Sequence, residues 1–199
     1  MTSEIVLASR SPIRCQLLQD AGITVACRTA EIDEAGLRAA LEREGATARD
    51  IADVLAEHKA RKISPRVPGA LVIGCDQVMV LGGSVLGKAE SPDALRAQLA
   101  RMRNRRHQLI SAAVIYEDAA PQWRAAETVE LHMRNLSDAY LDDYVARNWD
   151  DVAGSVGGFR IEAEGVRLFH RIDGPYHAVL GLPLLPLLTF LGQRGAIDT

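Results

Sequence analysis

The chain has 199 residues, 48% of them hydrophobic, which fits one globular domain over residues 1–199 with a sizeable core. Lys and Arg total 23 against 26 Asp and Glu, so the formal net charge of -3 leaves no basic surplus for binding nucleic acid. A polyanionic partner is therefore not expected, although a few cations in one cleft can still bind a small anion.

Three features of the sequence favour a cytoplasmic protein. The three cysteines, which lack metal-ligand spacing, are predicted to be free thiols in a reducing compartment because their number is odd. They are Cys15, Cys27 and Cys75. The opening residues MTSEIVLAS do not resemble a signal peptide, because no basic stretch precedes a long apolar run. The most apolar stretch, 182–191, is about half of the roughly 20 residues that a membrane span needs, so we expect a buried helix and no membrane association.

The first predicted elements are a strand, a turn and a helix. Residues 5–8 form a short apolar run with β-branched members, and the helical pattern 13–20 follows directly. Ser11 is suited to cap this helix, Pro12 to be its first residue, and Gly22 to end it.

The remaining pattern mixes helices and strands. Hydrophobic periodicity and turn residues predict helices at 35–44, 47–63, 91–103 and 137–147, and strands at 71–75, 78–81, 109–116 and 125–133, with a hairpin at Gly82-Gly83. Because hairpins occur beside crossovers, the expected fold is α/β, with a mixed twisted sheet flanked by helices.

The turn after the first strand is the first candidate for chemistry. The hydroxyls of Ser9 and Ser11 converge with free backbone N–H groups at a helix start, where an anion is favoured, and Arg14 can reach back from one turn along. The alternative is an ordinary capped helix.

Residues 82–88 match the phosphate-loop pattern G-x-x-x-x-G-K, but the match is rejected. Ala89 stands where a magnesium-binding Ser or Thr is needed, and the segment is a predicted hairpin rather than a strand-to-helix loop. Lys88 remains a lone cation that can contact phosphate.

Asp76 follows the apolar run Leu-Val-Ile-Gly-Cys, so its carboxylate is predicted at the end of a central strand, where α/β proteins bind ligands. It could bind magnesium or activate water, and the alternative is a turn or capping aspartate. The five histidines show no pair at a convincing metal spacing, so no zinc site is expected.

Taken together in chain order, these blocks resemble the Maf family of nucleotide pyrophosphatases from about Ile5 onward. The matching segments are LASRSPIRCQLL at 7–18, EIDE at 31–34, AEHKA at 56–60, GCDQV at 74–78, GK at 87–88, RRHQLIS at 105–111 and FRIEAEGVRLFHRIDGPYHAVLGLPL at 159–184. The resemblance implies a Maf/ITPase-like single domain with a central cleft. It also implies hydrolysis of a nucleoside triphosphate to the monophosphate and pyrophosphate with a divalent metal, magnesium being the natural choice.

The resemblance also assigns roles. Asp76 matches the proton-accepting carboxylate, and Glu34 matches an acidic residue near the metal and phosphates, so both are expected metal ligands. Lys59 and Lys88 match cations of the catalytic set. Ser9, Ser11 and Arg14 match groups that hold the triphosphate, where such clamps stabilise charge on the transferring phosphoryl oxygens.

Three further positions bear on the base. Where the branch acting on dTTP and UTP typically has Arg, Thr and Gln, this chain has Ile13, Gln77 and Glu162, which resembles the branch that prefers 7-methyl-GTP. A carboxylate at 162 can accept hydrogen bonds from guanine N1–H and its exocyclic amine. The alternatives are a dTTP/UTP pyrophosphatase and a nucleotide-sensing regulatory protein linked to septum formation. The resemblance further suggests a homodimer.

Overall fold

The computed structural model describes residues 3–198, and Met1, Thr2 and Thr199 of the predicted 1–199 domain lie outside the described residues. The strands are β1 (Ile5–Ala8), β2 (Val25–Arg28), β3 (Leu71–Leu81), β4 (Ser84–Leu86), β5 (Arg106–Glu117), β6 (Ala120–Met133) and β7 (Phe169–Asp173). The helices are α1 (Pro12–Asp20), α2 (Glu34–Arg43), α3 (Ala48–Ile63), α4 (Pro92–Met102), α5 (Asp138–Val152), α6 (Tyr176–Val179) and α7 (Leu184–Gln193). Short 3-10 helices cover Ser64–Arg66 and Glu164–Leu168.

The strands form one mixed sheet in the order β2-β1-β3-β5-β6-β7, with β4 paired to β3. β1 pairs in parallel with both β2 and β3, whereas the β3–β4 and β6–β7 pairs are antiparallel. The prediction of a mixed α/β sheet flanked by helices is confirmed.

The chain divides into two units. Of the described residues, the first unit contains 3–77, Ile110–Glu127 and 175–198, and the second contains Val78–Leu109 and Thr128–Gly174. The single domain and its central cleft stay predictions.

Local sequence signals explain where several helices begin. Thr47 and Asp50 form a reciprocal capping box at the start of α3, and the Ser91 and Ser137 hydroxyls accept backbone N–H bonds at the starts of α4 and α5. These helix starts agree with the predictions to within one residue.

β3 differs from the prediction of two strands separated by Asp76-Gln77. It is a single strand of 11 residues, Leu71–Leu81, that continues through both polar residues. Its pairing with β1 ends at Gly74, opposite Ala8, so Asp76 lies inside β3 but beyond the last residue of its neighbour. The end of β1, rather than the end of β3, therefore leaves Asp76 without a paired residue on that side of the strand.

The two faces of β3 in the first unit meet different helices. Alternate residues such as Ile73 and Cys75 join the buried core with Leu184, Leu187 and Leu191 of α7, together with residues of α1. The intervening residue Gly74 faces α3 so closely that an added Cβ would lie 2.1 Å from the carbonyl oxygen of Ala56. The missing side chain at Gly74 therefore permits α3 to pack directly on the strand.

The prediction of three free thiols is wrong. Cys15 of α1 and Cys27 of β2 form a disulfide, with their Cα atoms 6.4 Å apart, and Cys75 is free and buried. The spacing carried no signal because the pairing arises from the return of the chain along β2 beside α1.

The apolar stretch near the C-terminus forms α7, with Leu184, Leu187 and Leu191 buried. Within residues 3–198, no helix combines the length and apolar character required to cross a membrane.

We expect Gly74→Ala to destabilise the fold by about 1–3 kcal/mol or more, because the added methyl group overlaps the backbone of α3. The measurement is urea denaturation followed by circular dichroism. Gly154→Ala is the matched control, since nothing lies within 4 Å of a Cβ at that position. Equal stability of the two variants would contradict the close approach of α3 to β3.

Candidate active site

Lys59 lies at the centre of a buried ion-pair cluster. Its Nζ atom is 2.6 Å from Asp76 Oδ1 and 2.9 Å from Glu34 Oε1. The side chains of Lys59 and Asp76 are only 8% and 11% exposed, and that of Glu34 is 30% exposed. Three residues that are distant in sequence thus bring two carboxylates to one ammonium.

Three elements of the first unit position the cluster. Lys59 is in the last two turns of α3, Asp76 is on the face of β3 that meets α3, and Glu34 is the first residue of α2. The Asp33 side chain caps α2 by accepting the backbone N–H of Gly36. The helix cap therefore fixes the residue that carries the outer carboxylate.

The charges around Lys59 keep it protonated. Burial by itself would lower its pKa, but the charge of Asp76, the hydrogen bond to Asp76 and the charge of Glu34 outweigh both burial and the repulsion of Arg14. The pKa of Lys59 is therefore raised above its ordinary value, and the side chain is a fixed positive charge at neutral pH.

Arg14 is held beside this cluster. Its Nη1 donates to the carbonyl oxygen of Cys75 at 3.2 Å and to Ser9 Oγ at 3.5 Å. The guanidinium lies against the backbone of Gly181, where an added Cβ would be 2.7 Å from Arg14 Nε. Arg14 and Lys59 both contact the carbonyl oxygen of Cys75, so two of the three cations predicted to hold phosphate lie at the same residue of β3.

The first turn partly follows its prediction. Ser11 is the N-cap of α1 by backbone conformation, but its side chain makes no capping hydrogen bond. Ser9 Oγ instead accepts the backbone N–H of Ser11 at 3.2 Å. Ile13, predicted to contact the base, is a half-buried residue of α1.

Gln77 lies next to Asp76 but on the other face of β3. Its Nε2 atom lies 3.0 Å from each of three acceptors, Ser111 Oγ and the carbonyl oxygens of Ala178 and Val179. Gln77 was predicted to bear on recognition of the base, and its amide nitrogen is engaged by the protein itself.

Lys88 and Glu162 belong to the second unit. Lys88 is an exposed residue just after β4. Glu162 Oε1 accepts a hydrogen bond from Arg160 Nε at 2.9 Å. The prediction treated Glu162 as a carboxylate available to a base and overlooked this guanidinium two residues away.

Arg10 is a member of the site that the sequence reading missed. Its Nη2 lies 3.9 Å from Glu34 Oε1 and its side chain is 65% exposed. The sequence did offer a signal for Arg10, because it lies between Ser9 and Ser11 in the turn that was predicted to bind an anion.

The donor set at Asp76 and Glu34 fits a hard divalent cation. Both residues supply carboxylate oxygens, the ligands that magnesium prefers, and two carboxylates beside phosphate are a common magnesium arrangement. Contact with one ammonium does not exhaust the lone pairs of a carboxylate such as Asp76.

A different group of possible ligands lies in the second unit. Among residues 3–198, Glu130, His132 and Asp173 place one ligand atom each within 4.8 Å of the others. Arg106 pairs with Glu130 at 3.2 Å and Arg171 with Asp173 at 2.7 Å, so guanidinium groups already balance both carboxylates. Strand pairing of β6 with β7 creates this group, which histidine spacing alone did not reveal.

Comparison with known proteins gives the family. A model described as Maf-like protein matches residues 4–194, and the chain therefore belongs to the Maf-like protein family. It is 54% identical to the nucleoside triphosphate pyrophosphatase of Ruegeria pomeroyi over 100% of both chains. It is 42% identical to the 7-methyl-GTP pyrophosphatase of Brucella abortus, again over 100% of both. Among solved structures, a HAM1 protein from Coxiella burnetii is similar with a TM-score of 0.42 and 18% identity, over 67% of this chain and 74% of that one.

We expect Lys59→Met to lower the free energy of unfolding by about 3–5 kcal/mol at pH 7, because the buried Asp76 carboxylate loses its ammonium partner. Urea denaturation at pH 7 measures this loss of stability.

Lys62→Met is the control for this variant, since Lys62 is an exposed residue of the same helix that donates to the carbonyl oxygen of Glu31. Loss of stability of similar size in both variants would contradict a special role for the buried pair.

Proposed function

We propose that the protein is a nucleoside triphosphate pyrophosphatase. Water attacks the α-phosphorus, the bond between that phosphorus and the α-β bridging oxygen breaks, and the products are the nucleoside monophosphate and pyrophosphate. The observation that carries the proposal is the buried cluster of Lys59, Asp76 and Glu34. The names of the relatives from Ruegeria and Brucella support it.

Asp76 is the group proposed to accept the proton of the attacking water. Its carboxylate lies inside β3 beyond the end of β1, where a ligand at the β1 turn can reach it. Lys59 and Arg14 supply positive charge at the same residue of β3, and such charge stabilises transferring phosphoryl oxygens. Ser9 and Ser11 add hydroxyls at the turn, and Lys88 is proposed to contribute a further cation.

Asp76 and Glu34 are the residues proposed to hold magnesium. When bound, the metal would offset the charge of the phosphate oxygens. The protein would meanwhile orient the phosphates through Arg14 and Lys59, so chelation of the metal is expected to remove turnover and leave the protein folded.

The proposed substrate is 7-methyl-GTP. The Brucella relative with that printed name supports this choice, as does the carboxylate of Glu162. The guanidinium of Arg160 shares that carboxylate, which weakens its attraction for a cationic methylated base but leaves lone pairs for guanine donors. A dTTP/UTP pyrophosphatase is the alternative within the same chemistry.

The homodimer and the cytoplasmic location are also proposed. Leu185 on α7 is 60% exposed and offers apolar surface to a second copy.

Asp76→Asn should lower kcat by at least about a hundredfold, because the amide cannot accept the proton of the attacking water. The measurement is pyrophosphate release from 7-methyl-GTP, GTP, UTP, dTTP and CTP, with magnesium and with chelator. Circular dichroism checks that the variant remains folded.

Asp93→Asn, which changes an exposed carboxylate at the start of α4, is the control and should keep full activity. Retained turnover in folded Asp76→Asn would refute its role. Tight nucleotide binding without turnover by the wild-type protein would instead favour the septum-related sensor.

Glu162→Gln should reduce kcat/KM for 7-methyl-GTP about tenfold, through loss of a charged hydrogen bond, and leave that for UTP nearly unchanged. Glu164→Gln is the control, because Glu164 pairs with Arg147 at 2.8 Å and its loss should affect stability but not the ratio of the two substrates. An unchanged ratio in Glu162→Gln would favour the dTTP/UTP alternative.

A further inference from the structure

The side-chain amide of Gln77 is anchored in the protein by its nitrogen. Nε2 lies 3.0 Å from Ser111 Oγ and 3.0 Å from the carbonyl oxygens of both Ala178 and Val179. Ser111 is fully buried, and its hydroxyl donates to the carbonyl oxygen of Ala178 at 2.7 Å. One buried hydroxyl thus joins Gln77 of β3 to the end of α6.

This set of partners fixes which end of the amide points inward. The Ser111 proton is used on Ala178, so its oxygen acts as an acceptor toward Gln77. With the amide reversed, Oε1 would face two carbonyl oxygens, and none of the three acceptors would receive a hydrogen bond from Gln77. The nitrogen therefore points inward, and the carbonyl oxygen Oε1 is the end of the amide left to meet a ligand.

A carbonyl oxygen turned away from the three acceptors restricts what Gln77 can bind. Oε1 accepts hydrogen bonds and cannot donate them, and an ionised triphosphate offers only acceptors. The donors of a nucleotide are the N–H and amino groups of its base and the hydroxyls of its sugar. Gln77 is therefore unsuited to the phosphates, although the neighbouring residue in the chain is Asp76.

We propose that Ser111 is a positioning residue that holds the Gln77 amide so that Oε1 reads one hydrogen-bond donor on the base or sugar of the ligand. This inference rests on the proposed function only in taking the ligand to be a nucleotide. It assigns specificity to Gln77, on the face of β3 away from Lys59, together with its partner Ser111 of β5.

The same hydrogen bonds also hold the chain around Ala178, and Gly181 three residues on lies against Arg14. A purely structural role would therefore weaken binding of every nucleotide by the same factor. If Ser111 positions Gln77, its removal instead changes how much affinity is lost when one particular donor is deleted from the ligand. That difference between the variant and the wild-type protein is measurable.

The experiment uses calorimetry with α,β-methylene analogues of GTP, which cannot be hydrolysed at that bond. The panel removes one donor at a time: the 2-amino group, N1–H, the 2′-hydroxyl and the 3′-hydroxyl. In the wild-type protein one deletion should weaken binding about fivefold through Gln77, the effect of one neutral hydrogen bond. Ser111→Ala should abolish that penalty, and Ser111→Thr, which restores a hydroxyl, should keep it.

Gln77→Met is the second variant, since it removes the amide but leaves Ser111 bonded to Ala178. It should also lose the penalty, even where Ser111→Ala folds poorly. Equal penalties in wild type, Ser111→Ala and Gln77→Met would overturn the inference, as would a wild-type protein that binds no analogue. Binding with the expected penalties but no pyrophosphate release from any nucleotide would support the inference and overturn the proposed function alone.

Discussion

The ammonium of Lys59, held between Asp76 and Glu34, is the interaction on which the first unit of the structure depends. Removing charges from water is costly, and the cost is compensated only when opposite charges meet with good geometry. Here the contacts are 2.6 and 2.9 Å, and they raise the pKa of Lys59 in spite of its burial. Because the three residues come from α2, α3 and β3, the cluster also fixes how these elements meet.

Close packing of α3 on β3 makes this contact possible. Gly74 and Asp76 share one face of β3, and Ala56 and Ala60 of α3 lie directly over Gly74. The small residues set the separation of helix and strand, and Lys59, next to Ala60, then reaches the carboxylate two residues beyond Gly74. The small residues that permit close packing thus lie beside the buried ion pair on both elements, with Ala60 next to Lys59 on α3 and Gly74 two residues from Asp76 on β3.

The sequence predicted the elements that have local signals and missed those that depend on pairing. The capping box of Thr47 and Asp50 and the cap at Ser137 give the starts of α3 and α5. The polar pair Asp76-Gln77 suggested a break in β3, but the strand continues because each side chain finds partners on its own face of the sheet. The Cys15–Cys27 disulfide and the β6–β7 pairing likewise arise from contacts between segments that carry no local signal.

For the candidate site, the sequence predicted which residues take part but not how their side chains are oriented. Motif resemblance selected Glu34, Lys59 and Asp76, and the geometry brings these three together. It could not foresee that Arg160 shares the Glu162 carboxylate, nor that Ser111 and two carbonyl groups occupy the amide nitrogen of Gln77. Both interactions change what a side chain offers to a ligand without changing its identity. The partners of each polar group decide whether it presents charge, a donor or an acceptor, and those partners are set by the fold.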